Sequence, residues 1–200
     1  MRDTAHQLGL FGAEPMEVDE KFARVERIDL GRGAWLELVR GWLRGDRVLF
    51  EHLVATAPWR DEERLMYDHM VAVPRRVASL ETIHPTIARM RDLLDARYGT
   101  SFCRISAAHY RDGRDSVAWH GDYVARKLPE ALVATVSLGD RRRFLVRPKG
   151  GGPSMAFSVG GGDLVVMGGS CQRTHDHAVP KVAKAGARIA LMFRPVWKDE

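Results

Sequence analysis

Cysteine is nearly absent from this chain: among its 200 residues only Cys103 and Cys171 occur, far apart and without Cys-x-x-Cys spacing. That excludes a disulfide framework and a thiolate zinc site, and both cysteines are expected to be reduced. Long apolar runs are missing too. No stretch approaches the roughly 20 residues of a membrane-spanning helix, and the opening MRDTAHQLGLFGAEP lacks the cationic start and apolar core of a secretory signal. The expectation is a soluble, cytoplasmic protein with no membrane partner. Internal repeats and dividing linkers are also lacking, so residues 1–200 are expected to form one domain, with 1–25 as an N-terminal arm.

What is present is an ordinary globular composition, 45% hydrophobic and 28% charged, with a formal net charge of +5. A basic surface neutralises phosphates and releases their counterions, which fits a polyanionic partner without requiring one. Trp35, Leu36, Val39, Trp42 and Leu43 recur at helical spacing with Gly45 as a stop, predicting an amphipathic helix. A second helix is predicted from Pro85 to Tyr98, with Ile87, Met90, Leu94 and Tyr98 on one face and Gly99 just past its end. Beyond residue 100 the chain breaks into short apolar and β-branched segments: 102–110, 132–138, 143–147, 155–159, 163–167 and 188–193, separated by turns such as Pro148 to Pro153. The fold class expected is α+β, mainly β: a double-stranded β-helix, or jelly roll, with N-terminal helices on its outer face.

Three pieces carry chemistry. In Trp119-His120-Gly121-Asp122 the imidazole and carboxylate are two residues apart, so in extended chain both project to one side. Thr174-His175-Asp176-His177 offers a third ligand from a distant strand, with either histidine available. Two histidines and one carboxylate on one face of an octahedron leave open positions, the arrangement of non-haem iron(II) oxygenases. A 2-oxo acid would fill two of them and leave one for O2. Its distal carboxylate needs a cation inside the barrel, and Arg188, which opens the apolar strand Arg188 to Arg194, can pair with it bidentately.

The stretch Tyr110-Arg111-Asp112-Gly113-Arg114-Asp115-Ser116-Val117-Ala118-Trp119-His120-Gly121-Asp122 resembles the AlkB family's Tyr-x-x-Gly-x-Asp-x-x-x-x-His-x-Asp pattern. Gly162 to Met167, His177 to Lys181, and the pair Arg188 and Arg194 are also similar to that family's motifs, and the likeness runs from about residue 48 to 195. The resemblance implies Fe(2+) held by His120, Asp122 and His177, in preference to His175. It implies 2-oxoglutarate held by Tyr110 and Arg188, with Arg194 near metal and substrate. It also implies oxidative demethylation of N-alkylated bases in DNA or RNA, single-stranded or with the base flipped out, yielding formaldehyde, succinate and CO2, as in DNA alkylation repair. Val73-Pro74-Arg75-Arg76 looks like the segment that opens the family's nucleotide-recognition lid, placed here at about 66–84. Arg75, Arg76, Trp119 and Tyr123 are the candidate substrate residues, and Arg126, Lys127 and Arg141 to Arg143 candidate phosphate contacts. A monomer is expected.

Departures from the pattern cluster around substrate and co-substrate. Ala108 and Ala190 stand where the family has asparagines, and Ser79 where its lid has a stacking aromatic, for which Trp59 and Tyr123 are possible substitutes. They keep two alternatives in play, an oxygenase acting on a protein or small molecule and a nucleic-acid-binding module without turnover.

Overall fold

Along Arg188–Arg194, Ile189, Leu191 and Phe193 alternate with Arg188, Ala190, Met192 and Arg194. A period of two sends those sets to opposite faces of a strand. The computed structural model, which describes residues 15–66, 69–122 and 125–196, shows both faces covered.

In chain order the elements are β1 (Glu17–Val18), β2 (Val25–Gly31), β3 (Ala34–Val39), β4 (Leu43–Arg44), α1 (Asp46–Thr56), β5 (Arg60–Met66), β6 (His69–Ser79) and α2 (Pro85–Tyr98). There follow β7 (Arg104–Tyr110), β8 (Val117–His120), β9 (Val133–Gly139), β10 (Arg142–Pro148), β11 (Met155–Val159), β12 (Asp163–Gly169), α3 (Cys171–Thr174), β13 (His175–Val179) and β14 (Arg188–Arg194). A major sheet of order β2-β3-β12-β9-β14-β7-β6-β5 faces a minor sheet of order β11-β10-β13-β8, with β1 and β4 as a separate pair. This is the mainly β sandwich expected from the sequence.

The major sheet divides two cores. On its outer face Ile189, Leu191 and Phe193 meet Leu49, Phe50 and Leu53 of α1 and Ile87, Met90 and Leu94 of α2. On its inner face Ala108, Tyr110, Val133, Val165, Met167 and Ala190 meet Phe144, Val146 and Val179 of the minor sheet. The pocket described below opens from this inner layer. Helix α2 spans the expected residues: Pro85 begins it, the His84 ring nitrogen accepts the Thr86 amide, and Gly99 ends it in the left-handed region at φ 62.

Two expectations need correction. The helix predicted around Trp35 to Leu43 is instead two strands, β3 in the major sheet and β4 paired with β1. Both faces of β3 are covered, so almost every residue in it is buried, and a continuous apolar run mimics a helical period. Gly45, taken as a helix stop, is the left-handed residue that precedes α1. Of the 1–25 arm, residues 1–14 lie outside the described residues, while Phe22 is buried against Trp42 with ring centroids 5.3 Å apart, so its later part belongs to the domain. Both cysteines are free, and burial pushes the Cys171 thiol up to about 12.

Candidate active site

A cavity of about 320 Å³ lies between the sheets, and Tyr110, His120, Asp122, His177, Arg188 and Arg194 all line it. Strand pairing brings them together. His120 at the end of β8 faces His177 of β13 directly across the ladder, with ring centroids 4.3 Å apart. His120 Nδ1 lies 2.8 Å from the Ala118 carbonyl oxygen, which can only accept, so Nδ1 carries the proton and Nε2 the lone pair. Burial, and then the nearby His120, Arg194 and Arg75, hold His177 well below the usual imidazole range, which keeps it neutral. A neutral imidazole is the form that binds metal.

Asp122 lies just past the end of β8. Its backbone amide donates to Gln172 Oε1 at 2.9 Å, and its Oδ2 accepts from Arg194 Nε at 2.5 Å. Gly121 is required by the same turn, because a Cβ there would sit 2.7 Å from the Gln172 carbonyl oxygen. Asp122 lines the same cavity as the two imidazoles, with its carboxylate engaged by Arg194. Among the described residues, no cluster of three or more His, Cys, Asp or Glu side chains is arranged to hold an ion.

Arg188 closes the deep end. It is 2% exposed, its Nη2 donates to Ser137 Oγ at 2.7 Å, and its guanidinium carbon is 5.3 Å from the Tyr110 ring centroid. Its Nε and Nη1 are buried with no partner. Burial lowers the Arg188 pKa, the expected response of a cation removed from water. Buried charged donors left unsatisfied cost several kcal/mol, so these two nitrogens mark where an acceptor belongs. A carboxylate suits them. The donor types, two imidazoles and a carboxylate, suit a metal at the His120 end once Asp122 turns from Arg194 toward the histidines, and the free nitrogens of Arg188 suit the far carboxylate of a dicarboxylic co-substrate.

The remaining candidates separate by strand parity. Arg75 lines the cavity, whereas Arg76, one residue on, points to the outer face, bonding the Trp59 carbonyl at 3.3 Å and lying 3.8 Å from Asp61. Trp119 is also outside: it sits on the outer face of the minor sheet with the Arg147 guanidinium 4.0 Å from its ring centroid. Trp59 packs beside His109 on the helix side. His175 is buried away from the cavity with Nδ1 2.9 Å from Thr174 Oγ1. Of the arginine run, Arg142 is buried, while Arg141 and Arg143 are exposed, Arg141 pairing with Asp163 at 3.0 Å. Tyr123 lies outside the described residues.

Ala108 and Ala190 face each other in register and both line the cavity, as does Ser79. Ser106, Thr135 and Ser137 were not anticipated. Ser106 Oγ accepts from Arg194 at 2.9 Å, and Ser137 holds Arg188. The alternation Val133-Ala134-Thr135-Val136-Ser137 carried that signal, since its polar residues fall on the inward face of β9.

Residues 44–194 match the family model of the 2OG-Fe(II) oxygenase superfamily. The chain belongs to that superfamily. Among similar proteins are the "DNA oxidative demethylase ALKBH2" of Arabidopsis thaliana, 27% identical over 84% of this chain, and the "Alpha-ketoglutarate-dependent dioxygenase alkB homolog 3" of Bos taurus, 26% identical over 76%. The chain spans 68% and 62% of the lengths of these two relatives. A solved structure, that of OsALKBH1, superimposes with TM-score 0.62 over 86% of this chain and all of that one, at 14% identity, so it bears on the fold alone. The motifs and relatives together place this oxygenase in the AlkB family.

Proposed function

We propose that this AlkB-type oxygenase oxidatively demethylates N-alkylated bases in nucleic acid, acting in alkylation repair. The observation that carries the reading is the buried, half-satisfied Arg188 at the end of a cavity whose other end holds two facing imidazoles and a carboxylate. The naming of one relative as a DNA oxidative demethylase supports the substrate class.

Iron(II) held by His120, Asp122 and His177 would, with 2-oxoglutarate and O2, supply the power to hydroxylate an N-methyl carbon. The overall chemistry this would supply puts one oxygen atom of O2 into succinate, with loss of CO2, and the other into the N-methyl group, which would then be lost as formaldehyde. Arg188 and Tyr110 bind the distal carboxylate. Ser137 fixes the guanidinium plane, and Ala118 fixes the His120 tautomer. Arg194 holds Asp122 at the mouth and adds positive charge there with Arg60 and Arg75. A base must leave its stack to enter this cavity. The β5 and β6 hairpin, whose Arg75, Val77 and Ser79 line the mouth, is the proposed lid. The proposed form is a cytoplasmic monomer.

The test is mass spectrometry of single-stranded oligonucleotides carrying 1-methyladenine or 3-methylcytosine, incubated with protein, iron(II), ascorbate and 2-oxoglutarate. Loss of one methylene mass with the intact protein and none with His120→Ala is the expected result. A second reading, a protein or small-molecule substrate, draws on Ser79 at the mouth in place of a ring. Steady succinate formation that methylated oligonucleotides never stimulate would favour it.

A further inference from the structure

Tyr110 is flanked by two buried arginines. Arg188 approaches its ring to 5.3 Å, and Arg142 of β10 approaches it to 5.7 Å. Arg142 is 2% exposed, and its hydrogen bonds go to backbone carbonyls: Nη1 to Asp112 at 2.9 Å, and Nη2 to Asp115 and Pro180 at 2.8 Å each. Burying a guanidinium is costly unless its donors are satisfied. The placement of those carbonyls shows what the burial accomplishes.

Asp112 and Asp115 lie in the turn that leads into β8, the strand ending at His120. Pro180 directly follows β13, the strand carrying His177. The ladder between β8 and β13 is short, pairing His177 with His120 and Val179 with Val117, and its register slips between those two pairs. A bulge of this kind leaves backbone groups unpaired and bends the strand. Arg142 spans the loose end from β10, which pairs with β13 along its other edge. The same junction is tight at Gly113, where a Cβ would sit 2.3 Å from the Val182 carbonyl oxygen, and the Val182 amide donates to Gly113 at 2.9 Å.

We infer that Arg142 is a positioning residue for the metal site: by joining the turn before β8 to the segment after β13, it sets the spacing of His120 and His177. This rests on the reading that those two histidines hold the metal. The planar fork of arginine reaches several carbonyls in fixed directions at once, which the single ammonium of lysine does not.

The experiment measures Mn(II) affinity by calorimetry, alongside thermal unfolding, for the full chain and for Arg142→Lys, Arg142→Gln and Arg143→Gln. The expected result is a folded Arg142→Lys protein whose Mn(II) dissociation constant, measured well below its unfolding midpoint, rises about 10- to 100-fold. Arg143→Gln, altered on the outer face of the same strand, should bind as the parent does. Where Arg142→Lys does not fold, Arg142→Gln takes its place in the comparison. A folded variant with parental Mn(II) affinity overturns the assignment, because a purely structural residue lowers the midpoint and leaves affinity intact. Loss of fold in both variants overturns it as well. Failure of the parent protein to bind Mn(II) removes the metal-site reading, and the positioning role with it.

Discussion

At the scale of single residues, parity decides which side chains reach the cavity. His120, Asp122, His177 and Arg188 were legible because motif spacing and strand geometry agree on them. Arg76 and Trp119, taken as substrate candidates from their place in the motifs, instead face away from the cavity beside inward-facing neighbours. The Arg194 bond to Asp122 was not, since nothing local relates positions 72 apart in sequence. Arg188→Ala should raise the 2-oxoglutarate dissociation constant about 10- to 100-fold, given roughly 1.5–3 kcal/mol for a hydrogen bond to a charged group. Titration of 2-oxoglutarate into the Mn(II)-loaded protein measures this, and an unchanged constant would remove Arg188 from the co-substrate site.

His109 makes a prediction about pH. It is buried against Trp59 and Phe50 with both ring nitrogens unpartnered. Burial, then Arg76 and Arg111 acting against a smaller opposing pull from Asp115, lower its pKa from the ordinary 6.5. A folded value below the unfolded one means that the unfolded chain takes up the proton first. Stability is therefore full above about pH 6.5 and declines as pH falls toward the lowered folded value. His109→Phe keeps a ring in place and should flatten the loss of thermal stability between pH 7.5 and 5.5. Parallel melting curves for parent and variant across that range would contradict this.

Among the elements, the sequence was clearest where one face meets solvent and least clear where both are covered. Helix α2 keeps a polar outer side, so its period and both ends were readable. Strand β3 has no exposed side to break its apolar run, and the turn signal in Gly31-Arg32-Gly33, all at positive φ, was the feature that distinguished strand from helix. Because α2 packs on the outer face of the major sheet, its core residues should govern stability without touching chemistry. Leu94→Ala is expected to cost about 2–5 kcal/mol in urea unfolding, while the Mn(II) and 2-oxoglutarate constants stay at parental values in native buffer. A change in those constants would mean that the outer layer shapes the cavity directly.

For the whole molecule, the major sheet separates a layer that makes the fold stable from a layer that does the chemistry. Helices α1 and α2, Trp42 and Phe102 belong to the first. The second is a narrower space between the sheets, where buried arginines, paired imidazoles and facing alanines define what can bind. The spacing of short apolar segments predicted the sandwich and motif order predicted the site, but which wall each residue occupies came only with the strand order.

The most direct measurement is a crystal structure of the protein with Mn(II) and 2-oxoglutarate. The account predicts Mn(II) bound by His120, Asp122 and His177, with the distal carboxylate of 2-oxoglutarate on Arg188 Nε and Nη1. Metal held through His175, or a co-substrate carboxylate lying away from Arg188, would contradict it.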